Sequence, residues 1–376
     1  MKPCGLYVHI PFCVKKCAYC DFNSLVPSCE NQVNSYIKAL FADIKISGFS
    51  KEKHIIKSIY FGGGTPSLIK AEYIAQILYE IGNNFDVSSI NEVTIEVNPE
   101  SISRRKLAIY KSGGINRISM GVQSFNDRNL KLLGRAHTAR DVFNAIDLIK
   151  NAGFNKTSID LIYGIPGQTL KDWEKDLYRF LKTEIPHISC YDLKIEKNTF
   201  FYLIRDKLDV ADNDLQAEMY KLGCRKLERA GFLHYEISSF ALKGQESLHN
   251  SIYWRNEEYI GLGAGAYSYL KGRRFAKPQS LPKYQHQILS GSIKKYKQEK
   301  LGDRERLTET IILNLRLLRG FSLRDIEERT GVKVDRCLTA KLDGFVKQKF
   351  ILSSRGSYRL SKRGMLFYDT IASELL

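Results

Sequence analysis

The stretch Val8-His9-Ile10-Pro11-Phe12-Cys13-Val14-Lys15-Lys16-Cys17-Ala18-Tyr19-Cys20-Asp21-Phe22 puts three cysteines on one short loop, spaced Cys-x3-Cys-x2-Cys. Three thiolates held this closely can each take one iron of a four-iron cluster and leave the fourth iron open to a further ligand. Zinc wants four protein ligands, most often as two Cys-x-x-Cys pairs or a Cys/His set. A fourth would have to come from Cys4, His9, Cys29 or further away, and there is no second pair. A disulfide framework fits less well. The remaining cysteines, Cys4, Cys29, Cys190, Cys224 and Cys337, are scattered through a long chain, as buried or incidental thiols of a reducing cytosol are.

Outward from this loop, strand-like and helix-like runs alternate. Val, Ile, Tyr and Phe enrich residues 5–10, 58–61, 93–97, 117–122, 157–163 and 188–193, which reads as strands. Helical periodicity covers 31–46, 71–83, 103–112, 139–151 and 170–183, with turn residues such as Gly113-Gly114 and Gly153 at the ends. Such repetition predicts an α/β fold with parallel strands and right-handed crossovers, ligands gathering at the carboxyl ends of the strands. We divide the chain into 1–205, carrying these units; 206–300, with a helix over 214–230 followed by a loop-rich segment; and 301–376. The last has helices over 304–319, 323–330 and 334–348, then short strands 351–353 and 358–360, the pattern of a winged helix-turn-helix.

Several strings fall at the predicted strand ends. Gly62-Gly63-Gly64-Thr65-Pro66 lets backbone approach a ligand without Cβ interference, and it is not a phosphate loop, since no Gly-Lys-Ser/Thr follows. Further on, His249-Asn250-Ser251-Ile252-Tyr253-Trp254 places a histidine and two aromatics in what reads as a loop. It fits a satisfied buried histidine among core aromatics, or an imidazole able to ligate haem iron beside rings that pack on the macrocycle. Gly261-Leu262-Gly263-Ala264-Gly265-Ala266-Tyr267-Ser268 has the look of a dinucleotide fingerprint but opens no helix, so that reading is rejected.

The cysteine loop with its flanks, Tyr7 to Cys13 and Tyr19 to Phe22, resembles the signature of the radical S-adenosylmethionine (SAM) superfamily, in the branch that holds the oxygen-independent coproporphyrinogen III oxidases (HemN) and the HemW-type haem chaperones. The resemblance covers essentially the whole chain. It implies a partial (β/α)6 barrel with a C-terminal winged-helix-like α-helical domain beside it, and a [4Fe-4S] cluster on Cys13, Cys17 and Cys20. It implies SAM held by Tyr7, Tyr19, the glycine motif (Gly63, Gly64, Thr65), Glu96, Gln123, Arg135 and Asp160, the last three matching residues that contact a second SAM molecule in the oxidases. His249, Asn250, Tyr253 and Trp254 match the His-Asn-x-x-Tyr-Trp motif of the HemW group, where Gly261–Ser268 lines the same pocket. HemN proteins carry a fourth cysteine where this chain has Phe22, and a longer segment before the loop than the dozen residues here. These departures favour a haem chaperone without coproporphyrinogen oxidase activity, delivering haem to acceptor proteins such as respiratory enzymes. Decarboxylation of coproporphyrinogen III to protoporphyrinogen IX is the alternative, and a nucleic-acid-modifying radical enzyme a third. An electron donor such as a flavodoxin or ferredoxin is implied, and a homodimer and a peripheral membrane contact stay open.

A net charge of +17 over 376 residues suits a nucleic acid, an anionic membrane surface or acidic ligands such as porphyrin propionates. The basic residues are dispersed, which suits a solvated surface equally well. The densest runs, Lys294-Lys295 with Lys297 and Lys271 with Arg273-Arg274, lack interleaved aromatics, so no nucleic-acid partner is expected. No apolar run approaches the ~20 residues of a membrane span, and no targeting segment is read before the cysteine loop, which predicts a soluble cytoplasmic protein.

Overall fold

Strands of this chain alternate apolar residues on one face with polar ones on the other, and the two faces do different work. A computed structural model describes residues 3–48, 54–291 and 297–376; Lys294-Lys295 and the side chain of Lys297 lie outside the described residues. The barrel runs β1 (Pro3–Ile10), α1 (Glu30–Gly48), β2 (Ile55–Gly63), α2 (Ala71–Asn84), β3 (Glu92–Val97), α3 (Arg104–Ser112), β4 (Arg117–Gln123), α4 (Asp127–Leu133), α5 (Ala139–Asn151), β5 (Lys156–Tyr163), α6 (Leu170–Lys182) and β6 (His187–Asp192). β1 to β6 lie side by side in chain order, every neighbouring pair parallel. This is the expected partial (β/α)6 barrel.

The outward residues of the strands, such as Leu6, Val8, Ile59, Phe61, Ile95, Ile118, Met120 and Ile159, are buried in one core with the apolar faces of the helices. In α6 that face is Trp173, Leu177 and Phe180, each fully buried, worth about 1.5–3 kcal/mol for a large apolar side chain. Thr138 and Asp141 form a capping box that starts α5, and Thr169 and Asp172 do the same for α6. The sequence did not announce α4. It is started by the Asn126 side chain accepting from the Arg128 amide and stopped by Gly134 in the left-handed region.

The chain continues through α7 (Phe200–Leu203), α8 (Asn213–Arg229), β7 (Leu233–Glu236), β8 (Ser239–Ala241), α9 (Leu248–Trp254), β9 (Tyr259–Leu262), β10 (Tyr267–Leu270), β11 (Arg273–Ala276), α10 (Leu281–Leu289) and β12 (Lys297–Lys300). These strands extend the barrel sheet at both edges: β8 pairs antiparallel with β6, and β9 pairs parallel with β1. The strands of the 206–300 segment are therefore built into the barrel wall. The expected loop at His249 is the helix α9. Ser247 caps it by accepting from the Asn250 amide, and the buried Glu92 carboxylate accepts the Leu248 and His249 amides at 3.1 and 2.9 Å.

The C-terminal part is α11 (Asp303–Leu315), β13 (Phe321–Ser322), α12 (Leu323–Thr330), α13 (Arg336–Lys347), β14 (Ile351–Ser354), β15 (Ser357–Leu360), α14 (Lys362–Leu366) and α15 (Tyr368–Leu375). A small sheet in the order β13-β15-β14 forms the wing around its own apolar core. The domain sits against the barrel through Leu318, whose amide reaches the Tyr235 carbonyl at 3.1 Å, and through Arg316 on Glu236 at 3.2 Å.

Candidate functional site in the barrel lumen

The cysteine loop is tied down along its length. The Cys13 amide bonds the Leu25 carbonyl at 2.9 Å, Ala18 bonds Leu133 at 3.0 Å, and Phe201 bonds back to Ala18 at 2.9 Å. At the loop's exit His9 Nε2 meets the Asn23 carbonyl at 2.9 Å, and the Asn23 amide group donates to the Ala264 and Gln279 carbonyls. Gly261–Ser268 thus buttresses the loop through the Ala264 carbonyl and is not among the residues that line the lumen cavities. The glycine turn is needed for close packing on this loop. A Cβ on Gly63, whose φ is +116°, would lie 2.4 Å from the His9 ring, and one on Gly64 would lie 2.7 Å from the Phe12 carbonyl oxygen.

Cys13, Cys17 and Cys20 are half-buried free thiols that line one cavity of about 130 Å3. Burial pushes the thiols of Cys13 and Cys20 up. Two donors face the sulfurs: Thr65 Oγ1 stands 3.7 Å from Cys13 Sγ, and Arg135 Nη1 stands 3.5 Å from Cys17 Sγ. Among the described residues no three His, Cys, Asp or Glu side chains converge as they do around a single metal ion. A four-iron cluster asks for a different arrangement, one thiolate to each of three irons. Three free thiols around one cavity, with cationic and hydroxyl donors beside the sulfur, fit that group.

The same cavity is lined by Tyr19, Gly63, Gly64, Thr65, Glu96, Gln123, Arg135 and Asp160. Arg135 is fixed by Asn98 Oδ1 at 2.6 Å and the Gly121 carbonyl at 2.7 Å. Gln123 sits at a β4/β5 register shift with φ of +69°, a backbone state uncommon for a non-glycine residue that re-aims its side chain at the strand end. Glu96 accepts from Tyr60 at 2.8 Å and from the Gly63 amide at 3.2 Å. Burial, reinforced by the nearby Asp160 charge, pushes its carboxyl up to about 7, and burial pushes Asp160 up to about 6.

A second cavity, of about 650 Å3, adjoins the first and shares Tyr19, Cys20, Phe22, Glu96, Gln123 and Asp160 with it. It adds Tyr7, which reaches His9 Nδ1 at 3.0 Å, and at its far end His249, Asn250, Tyr253 and Trp254 of α9. His249 is fully buried. Its Nδ1 meets Ser58 Oγ at 2.8 Å, its Nε2 meets the Tyr253 hydroxyl at 2.9 Å, and its ring stacks on Tyr60 at 5.0 Å. Burial lowers its pKa to about 3, so the ring is neutral, the form that ligates metal. An iron at Nε2 would have to displace the Tyr253 hydroxyl.

Apart from the Gly261–Ser268 segment, every residue named for SAM or haem lines one of the two adjoining cavities. The sequence reading missed Tyr60, Asn98, Arg117, Ser119, Tyr191 and Arg316, of which all but Asn98 line the larger one and Asn98 the smaller. The strands carried a signal for most of them, since polar residues recur at every second position facing the lumen.

The raised carboxyls give a pH test. A folded pKa above the ordinary carboxylate range favours the protonated folded state, so this contribution to stability is present at low pH and lost as pH rises through about 6 for Asp160 and about 7 for Glu96. His9, His187, His234 and His249, held neutral by burial, act in the opposite sense. The measurement is therefore a difference: the melting temperature of cluster-free Glu96→Gln minus that of the wild type should climb as pH rises from about 4.5 to about 7 and level off above that. A flat difference would contradict the raised carboxyl.

Comparison with known proteins agrees with this geometry. A family model described as the radical SAM superfamily matches residues 7–179, and one described as the HemN C-terminal domain matches 301–367. The chain is 33% identical to "Heme chaperone HemW" of Lactococcus lactis over 100% of this chain and 98% of that one. It is 34% identical to the Bacillus subtilis protein of the same name over 98% of each. "Radical S-adenosyl methionine domain-containing protein 1, mitochondrial" of Danio rerio is 32% identical over 99% of this chain and 86% of that one. Among solved structures, the coproporphyrinogen III oxidase HemN of Escherichia coli, a radical SAM enzyme, superposes with a TM-score of 0.86 at 22% identity, covering 100% of this chain and 90% of that one. That likeness speaks for the shared fold.

Proposed function

Because the chain belongs to the HemW family, we propose that it is a haem chaperone that holds a [4Fe-4S] cluster, SAM and haem in one continuous lumen and passes haem to acceptor proteins. The observation that carries this reading is the adjoining pair of cavities, with the three cysteines at one end and α9 at the other. Cys13, Cys17 and Cys20 hold the cluster, which when bound would supply an electron for reductive cleavage of the SAM sulfonium. Gly63, Gly64 and Thr65 present backbone and hydroxyl to the amino-acid end of SAM, and the Glu96 carboxylate accepts from its ribose hydroxyls. Gln123, Arg135 and Asp160 complete the polar wall. A volume of about 650 Å3 lies within the ~300–1,000 Å3 of cofactor sites. Asn250, Tyr253 and Trp254 line it beside His249, and the aromatic faces can pack on a macrocycle.

Phe22, 61% exposed at the rim of both cavities, stands where the oxidases have their fourth cysteine. This supports a carrier over a decarboxylase. Haem titration of the anaerobically reconstituted protein tests the reading, with an assay for protoporphyrinogen IX formed from coproporphyrinogen III run alongside. Stable haem without protoporphyrinogen is expected; turnover to protoporphyrinogen would overturn it.

A further inference from the structure

Two arginines on the wall of the larger cavity keep N–H donors that find no hydrogen-bond partner among the described residues. Arg117, the first residue of β4, is 2% exposed at the end of the lumen away from the cysteines. Its Nη1 donates to the Gln245 carbonyl at 3.0 Å, while its Nη2 bonds nothing. Glu92 lies 3.7 Å from Nη1, but its two oxygens already accept the amides that start α9. Thr94, opposite Arg117 in the strand register, is buried with its hydroxyl also unpartnered. Arg316, which follows α11, gives Nη2 to Glu236 and Ser238 and stacks 4.2 Å over the Trp254 ring. Its Nε and the indole N–H of Trp254 are buried and unpartnered.

Buried polar groups are normally hydrogen-bonded, and a buried unmet donor is unfavourable until something accepts from it. All four unpaired groups can donate, two of them belong to cations, and the four residues that carry them all line the same cavity. A carboxylate, which only accepts and pairs with guanidinium in charge-assisted bonds, is the complementary group. We propose that Arg117 with Thr94, and Arg316 with Trp254, are two carboxylate anchors that make the cavity selective for a ligand carrying a pair of carboxylates, in a porphyrin its propionate side chains. This rests on the haem reading and adds the group by which the ligand is chosen and oriented.

The test compares haem with its propionate dimethyl ester on the reconstituted full-length protein, measuring both dissociation constants by absorbance titration. The wild type should bind the ester at least about tenfold more weakly, as loss of a charge-assisted hydrogen bond predicts. In Arg117→Gln and Arg316→Gln, haem affinity should fall towards that of the ester while ester affinity holds, so the discrimination shrinks. Arg117→Lys, which keeps the charge, should retain part of it. Equal affinity of the wild type for haem and ester overturns the anchors and leaves the haem reading standing. Variants that weaken both ligands alike would show that the arginines only support the fold, which also overturns them. A wild type that binds neither ligand overturns both readings. The wild-type comparison stands whether or not any variant folds.

Discussion

Cys13→Ala, Cys17→Ala and Cys20→Ala should each lose essentially all iron and acid-labile sulfide on anaerobic reconstitution. In the proposed assignment each thiol serves a separate iron, so removing one would leave two protein ligands for a cluster that is also open at its fourth iron. No neighbouring thiol can stand in. Cys4, Cys190 and Cys224 are buried elsewhere in the core. The loop itself should survive, because its backbone ties to Leu25, Leu133 and Phe201 do not involve the sulfurs. Melting temperatures of the cluster-free variants should therefore match the cluster-free wild type. Cys29→Ala and Cys337→Ala, at exposed positions, should reconstitute fully. Full iron and sulfide in any of the three loop variants would contradict the ligand set.

Asp43→Ala should cost about 3–5 kcal/mol of stability, the range for leaving one charge of a buried pair uncompensated. Asp43 on α1 is fully buried and accepts from Lys277 Nζ at 2.5 and 2.6 Å, from the Tyr284 hydroxyl at 2.9 Å and from the Gly263 amide at 2.9 Å. Burial lowers the Lys277 pKa against the pull of Asp43, so removing the carboxylate strands an ammonium in the core. The damage reaches the site, because the segment that Asp43 holds supplies the Ala264 and Gln279 carbonyls that grip Asn23. Asp43→Ala combined with Lys277→Met should recover most of the loss, since an apolar replacement of a whole buried pair is often neutral. Denaturant unfolding of the three variants measures this. A loss below about 1 kcal/mol in the single variant would place the pair among weak, solvent-screened ones.

The barrel was legible because runs rich in Val, Ile, Tyr and Phe alternate with helix-like stretches; the period of two within the strands is a further signal, that of the lumen. Ser58 and Tyr60; Glu92, Thr94 and Glu96; Arg117, Ser119 and Gln123; Ser158 and Asp160; and His187, Ser189 and Tyr191 alternate with apolar neighbours. Barrel interiors are commonly filled by layers of branched apolar side chains, so polar residues at these positions mean a lumen left open for a ligand. The cysteine loop and the glycine turn were legible because their chemistry is local. Long-range pairing was not. Asp43 and Lys277 are 234 residues apart, and nothing in either neighbourhood marks the other. The helix at His249 was read as a loop because its start is satisfied by Glu92, a carboxylate on a distant strand. For His249 the sequence left a satisfied buried histidine and a haem ligand side by side, and Ser58, distant in the sequence, and Tyr253 engage its two nitrogens.

The most direct test of the central claim is a haem titration of the anaerobically reconstituted protein, wild type against His249→Ala, followed by absorbance and by haem stain after denaturing electrophoresis. We predict about one tightly held haem per wild-type chain, and retention at least about tenfold weaker in the variant, because His249 fixes Tyr60 and Tyr253 on the cavity wall and carries the one imidazole of the motif. Equal retention by both proteins would remove the motif from the haem site. A wild type that holds no haem would contradict the chaperone account itself.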